Sequence, residues 1–281
     1  MSLYGALEAG GTKFVVSVGD DPLQPRDVRR FSTSNNPVET MAEVVAYFQE
    51  RGPLKGVGVA TFGPIDFATG AITNTPKLAW QNFPLRDALR RALNVPVGFD
   101  TDVNGAALGE ARCGAGKGME NLVYITVGTG IGGGALVSGQ LVHGLMHPEM
   151  GHLLVRRAAG ERADFAGVCP FHGDCLEGLA SGPAMNERWG VPAHELPPEH
   201  DGWKVEADYL AQACVNLACV VSPQVIVLGG GVMSQRHLFP SVRTRAEELC
   251  KGYLPLPAIV PPGLEYPGLS GAFVLAMEAA A

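Results

Sequence analysis

The stretch VCPFHGDCLEGLASGP, residues 168–183, places Cys169, His172 and Cys175 at three-residue steps. Two thiols around an imidazole are ligand types that zinc prefers, and the C-x2-H-x2-C spacing lets one turn of chain face a single ion. A tetrahedral ion needs a fourth ligand. His152, upstream, completes a set of His152, Cys169, His172 and Cys175; Asp174 and His147 are the alternatives. Four protein ligands leave no open position for a reacting water, so such a metal is expected to be structural. The other cysteines lack ligand spacing. Cys214 and Cys219 fall in ADYLAQACVNLACVV, which reads as a buried helix with core thiols, and Cys113 and Cys250 carry no assigned role. The scatter of all six does not resemble a disulfide framework.

A second kind of chemistry lies in three glycine turns: EAGGTK (Glu8 to Lys13), VGTGIGGG (Val127 to Gly134) and LGGGV (Leu228 to Val232). Gly128, Gly130 and Gly133 satisfy G-x-G-x-x-G, but a dinucleotide fold needs a helix directly after the glycines. ALVSGQLV follows instead and reads as a strand. The P-loop pattern fails too, because Thr12 precedes Lys13 and a strand follows. What remains is a phosphate-binding β-hairpin, in which glycines let backbone N–H groups approach phosphate oxygens with no Cβ in the way. Gly10, Gly11, Thr12, Lys13, Gly128, Thr129, Gly130, Gly230 and Gly231 are the expected phosphate and nucleotide contacts, and Glu8 is placed to hold Mg²⁺ directly or through water. Pro183 joins them, because SGPA reads as a helix start with proline in its first turn.

The elements that must carry these residues alternate between strand and helix, so the class is α/β. YGALEAGGTKFVVSVGD reads as strand, tight turn, strand; NLVYITVGTGIGGGALVSGQLV repeats that pattern, which suggests a duplicated domain. NPVETMAEVVAYFQERG sets Val38, Met41, Val45 and Phe48 on one helical face, and PAHELPPEHDG (192–202) reads as a surface loop. Asp102 stands where VPVGFDT passes into the helix DVNGAALGEARCG; it fits either an N-cap or a general base aimed into a cleft, while Glu110 reads as an exposed helix acid. Of 281 residues, 46% are hydrophobic and 17% charged, which permits a large core and excludes a disordered chain. A net charge of −7 without a basic run disfavours nucleic acid and anionic membrane, and no stretch is long enough to span a bilayer. A cytoplasmic protein is the expectation.

In this order, EAGGTK, TVGTGIGGG and LGGGV resemble the two phosphate motifs and the adenosine motif of the actin-like ATPase superfamily, and DVNGAALGE, PEMGH and CLEGLASGPA resemble the ROK family of sugar kinases and repressors over nearly the whole chain. The CPFHGDCLEG form is most similar to its bacterial fructokinase branch. Glu8 stands where the family usually has aspartate, and Thr101 where asparagine is common. The resemblance implies two actin-like (ribonuclease H-like) α/β domains around a central cleft. It places a small domain at 1–101, completed by a C-terminal helix near 268–281, and a large domain at 102–267. It implies ATP- and Mg²⁺-dependent phosphorylation of a hexose, D-fructose first, with domain closure excluding water. Asp102 would be the general base, Asn74, Asn104, Glu149, His152 and Glu177 the sugar contacts, and a structural zinc would fix the loop from His152 to Glu177. Trp80 is a candidate to stack on the sugar or an interior residue. A homodimer is implied as well. Glucokinase, mannokinase and N-acetylhexosamine kinase share the pocket motifs. A sugar-sensing repressor would need a DNA-binding module ahead of the first hairpin, and a non-catalytic sugar-binding protein would not need Asp102.

Overall fold

A computed structural model describes residues 2–281. The chain divides into two compact units, one of Met1–Gly118, Leu141–Pro148 and Gly263–Ala281, the other of Met119–Gln140 and Glu149–Pro262. Each is built on a five-stranded sheet.

In the first unit, β1 (Tyr4–Ala9) and β2 (Lys13–Gly19) form an antiparallel hairpin with Leu7 opposite Val16. β3 (Arg26–Ser32) pairs outside β2, and β4 (Val57–Thr61) runs parallel to β1. Beyond a two-residue hairpin pair, β5 (Ile65–Asp66) and β6 (Ala71–Ile72), β7 (Val97–Thr101) lies parallel to β4. The order is therefore β3-β2-β1-β4-β7. In the second unit, β8 (Leu122–Val127) and β9 (Ile131–Val137) make the hairpin, β10 (Gln140–Leu141) is the outer strand, and β11 (Val225–Gly229) and β12 (Ala258–Val260) run parallel beyond β8. Its order, β10-β9-β8-β11-β12, repeats the first sheet strand for strand. The duplication that the glycine hairpins suggested is thus present in the topology. All five residues of β4 and of β11 are buried, as central strands with both faces covered require.

Helices α1 (Pro37–Gln49) and α2 (Leu85–Leu93) and the first sheet enclose a core around Phe14, Phe48, Ile72 and Trp80. The buried face of α1 is Thr40, Met41, Val44, Tyr47 and Phe48, a correction to the expected stripe. Asn36 caps the helix, so Val38 falls in its first turn and points outward at 70% exposure. β3, with sequence RDVRRFS, gave no apolar signal; it is an edge strand, where charge protects against further pairing.

α3 (Asp102–Cys113) and α8 (Pro267–Ala279) meet backbone to backbone. A Cβ on Gly271 would lie 1.7 Å from the Gly105 carbonyl oxygen, and one on Gly58 of β4 would lie 1.7 Å from that of Ala272. This packing groups α3 with the first unit. Glu110 is not exposed, as its place in a charged-looking helix suggested: it has no accessible surface. Its carboxylate accepts from the N–H groups of Ala115 (2.6 Å), Gly263 (3.0 Å) and Leu264 (3.1 Å), tying the end of α3 to the segment leading into α8.

The second unit adds α4 (Leu176–Ala180), α5 (Gly182–Trp189), α6 (Gly202–Val221) and α7 (Leu238–Cys250). Cys214 is buried on α6, but Cys219 is exposed, because the last turn of that helix leaves the core. Among the described residues no helix is long and apolar enough to cross a membrane.

Candidate active site and metal centre

In the first unit the turn between β1 and β2 is closed by Gly10 N–H donating to Lys13 O (2.9 Å). Thr33, just after β3, grips it at two points: its N–H donates to Thr12 O (3.0 Å) and its hydroxyl to Gly10 O (2.7 Å). Thr12 and Lys13 are exposed. Glu8, at the end of β1, packs against the first turn of α8, where a Cβ on Gly268 would lie 2.7 Å from its carboxyl carbon. Burial raises the Glu8 carboxyl above its ordinary value, while Lys13, Arg30 and the Leu269 N–H pull the other way.

Asp102 is the first residue of α3, partly exposed, with a carboxylate oxygen accepting from Val103 N–H (2.9 Å). It is not the N-cap. Thr101 is, since its hydroxyl accepts from Asn104 N–H (3.1 Å), and Asp102 is left with its charge at the helix N-terminus. The Asn104 amide does not reach back to Asp102. It is fully buried and donates to Asp100 (2.8 Å), and its own oxygen has no partner among the described residues. Asp100 also accepts from Thr101 N–H and sits 2.8 Å from His143 Nε2. That carboxylate raises the His143 imidazole above its ordinary 6.5. Sequence reasoning missed Asp100 and His143; the D-x-D spacing of Asp100 and Asp102 was the available signal. Asn74 is exposed. Trp80 is an interior residue: it is fully buried and its indole N–H donates to Ser34 O (2.9 Å).

In the second unit the turn at 128–130 is closed by Gly128 N–H to Gly130 O (2.9 Å) and docked on the start of α5 by Gly182 N–H to Gly128 O (2.7 Å). Ser181 caps α5 and Pro183 lies in its first turn, exposed, as expected. Thr129, Gly230 and Gly231 are exposed as well. Gly230 has φ +89°, and a Cβ there would lie 2.4 Å from Val127 O, so only glycine fits. Glu177, on α4, accepts from Ile131 N–H (2.9 Å) through one carboxylate oxygen, at the mouth of the same turn. Glu149 is exposed and precedes the 3-10 turn Met150–His152.

His152, Cys169, His172 and Cys175 converge, with one ligand atom from each lying within 4.8 Å of the others. His152 Nδ1 is 3.7 Å from Cys169 Sγ and 3.5 Å from Cys175 Sγ, and His172 Nδ1 is 3.8 Å from Cys169 Sγ. Zinc bonded at about 2.3 Å to sulfur and about 2.0–2.1 Å to nitrogen has tetrahedral S···N edges of about 3.6 Å. The four residues therefore fit zinc. The alternatives are occupied elsewhere: His147 accepts from Ile65 N–H in the first unit, and Asp174 pairs with Arg157. Burial pushes the Cys175 thiol up to about 11, so its thiolate form depends on a bound cation. Both imidazoles present Nδ1 to the cluster, which leaves His152 Nε2 for another partner.

Two duplicated sheets, each opening with a glycine hairpin, define the actin-like ATPase fold. Within it, the sequence profile of the ROK family matches residues 4–279, and the chain belongs to that family. It is 42% identical over 287 residues to the fructokinase of Pediococcus pentosaceus, covering 99% of this chain and 98% of that protein. It is 42% identical over 294 residues to the fructokinase of Zymomonas mobilis, covering 99% and 97%. Among solved structures, the ROK hexokinase from Thermus thermophilus superimposes with a TM-score of 0.82 at 30% identity, covering 98% of each chain.

Proposed function

We propose that this protein transfers the γ-phosphoryl group of ATP to the 6-hydroxyl of D-fructose. The observation that carries the reading is the full-length identity to proteins named fructokinase, in a chain that holds Asp102 at the first turn of α3. The glycine turns at 10–13 and 128–130 supply backbone donors to the phosphates, with Thr12 and Thr129 adding hydroxyls. Glu8 is assigned to Mg²⁺, and Pro183, Gly230 and Gly231 to the nucleotide. Asp102 accepts the sugar hydroxyl proton as the oxygen attacks phosphorus and the bond to ADP breaks.

The sugar hydroxyls are assigned to Asn74, Asn104, Glu149, His152 and Glu177. Glu177 has one oxygen on Ile131 N–H and offers the second; Asn104 offers its unpartnered amide oxygen. Zinc held by His152, Cys169, His172 and Cys175 supplies rigidity to this segment. A cytoplasmic homodimer, with the domain limits that the sequence implied, belongs to the same proposal.

A coupled assay across a panel of hexoses tests the substrate. Fructose should be turned over best, and a clear preference for glucose or mannose would overturn the assignment. Asp102→Asn should keep fold and nucleotide binding while losing ~10²–10⁴-fold in kcat, the usual worth of a positioned proton acceptor. Turnover near that of the wild type would remove Asp102 from the mechanism.

A further inference from the structure

The segment TNTPKLAW (73–80) contains a cation that neither the motifs nor the assignments above use. Lys77 lies just ahead of the 3-10 turn Leu78–Trp80. Its backbone is fixed: its N–H donates to the Thr75 hydroxyl (3.3 Å) and its carbonyl accepts from Trp80 N–H (2.8 Å). Trp80 in turn is anchored by its indole bond to Ser34 O and by ring contacts to Phe14 (5.1 Å) and Phe83 (5.3 Å). The side chain is directed as well. Lys77 Nζ donates to Thr33 O (3.3 Å), and Thr33 is the residue that grips both Gly10 and Thr12 of the first glycine turn. A Cβ placed on Gly11 would lie 4.0 Å from Lys77 Cε.

The ammonium is therefore held beside the turn by a carbonyl that takes one of its three donors. Among the described residues no carboxylate forms an ion pair with it. Lys13 differs, since its charge faces Glu8. In a chain of net charge −7, a half-buried lysine tethered at a glycine turn and not neutralised there is arranged for an anion that arrives with a ligand. Transfer of a phosphoryl group spreads charge over its outer oxygens, and a preset cation at that point stabilises the transition state more than the ground state.

We propose that Lys77 binds the terminal phosphoryl group of ATP at the first glycine turn and stabilises it during transfer. The inference rests on the kinase reading for its catalytic half only. Its binding half can be read without turnover, by titrating wild type, Lys77→Met and Lys77→Arg with ADP and with the non-hydrolysable triphosphate AMP-PNP in the presence of Mg²⁺.

Lys77→Met should bind ADP as the wild type does and lose about tenfold in affinity for AMP-PNP, the worth of about one charged contact. Its kcat on the best hexose should fall ~10²–10³-fold with sugar KM little changed. Lys77→Arg keeps the charge and should recover most of the AMP-PNP preference. Equal binding of AMP-PNP by wild type and Lys77→Met overturns the proposal. So does a parallel loss of ADP and AMP-PNP in both variants, which would make Lys77 a support for the turn. Should Lys77→Met fail to fold, Lys77→Gln takes its place with the same two outcomes. A wild type inactive on every hexose would overturn the kinase reading and leave the nucleotide comparison still decisive for Lys77.

Discussion

Glu206 stands at the residue scale as an acid whose surroundings invert its usual behaviour. It is fully buried on α6, and neither carboxyl oxygen has a partner among the described residues. The groups that face it are Arg188, with no exposed side chain, and Glu161, which already takes a 2.9 Å ion pair from Arg188 and a 2.7 Å hydrogen bond from Tyr209. Burial raises its value well above the ordinary 4.5; Arg188 pulls it down by less, and Glu161 adds to the rise. The sign follows from linkage. A folded value above the unfolded one gives a contribution that is complete below the unfolded value and lost as pH rises through the folded one. Glu206→Gln should flatten the fall of thermal stability with rising pH; an unchanged pH profile of the melting temperature would refute this. At this scale the sequence was informative where chemistry is dictated by spacing. Cys169, His172 and Cys175 carry their geometry in their numbering. Glu110, Glu206 and Asp100 do not, because a buried acid and an exposed one differ only in what the tertiary fold brings to them, and the N–H donors on Glu110 come from Gly263 and Leu264.

Among the elements, the segment from His152 to Glu177 joins the cluster that fits zinc to the residues proposed for the sugar. Cys175 is two residues from Glu177, and His152 closes the turn that Glu149 opens, through His152 N–H to Glu149 O (3.1 Å). Cys175→Ser should lower zinc content, measured by mass spectrometry. On the proposed reading it should raise sugar KM more than ATP KM, because the first glycine turn is closed by Gly10, Lys13 and Thr33, outside this segment. Equal loss of both, or an active enzyme purified without zinc, would contradict a structural metal that serves the sugar. The hairpins were legible because glycine-rich turns between β-branched runs allow few alternatives. The face of α1 was read wrongly by a partial turn, because the cap at Asn36 decides which residues of the first turn are exposed. β3 was illegible for a different reason: an edge strand is recognised by its partner, and its own side chains alternate without an apolar face.

At the scale of the molecule, the repeated strand order was foreseeable from two hairpins, but the close approach of α3 and α8 was not. Their contact runs through Gly105 and Gly271 with no room for a side chain. Gly271→Val should destabilise by at least the ~1–3 kcal/mol typical of overpacking, read by thermal unfolding. A melting temperature like that of the wild type would mean that the helices separate at little cost. The same contact sets an order of events during synthesis. The first unit is assembled from the beginning of the chain, the short segment Leu141–Pro148 and the end of the chain, while every residue of the second unit lies before Gly263. Nascent domains ordinarily fold from the N-terminus as they emerge. Here the ribosome must translate past α8 before the first sheet can be covered, so the domain encoded later is complete earlier. Until then β1 and β4, with Ala6 and Ala60 turned toward the missing Leu269, Ala272 and Phe273, are the surface that a chaperone would meet.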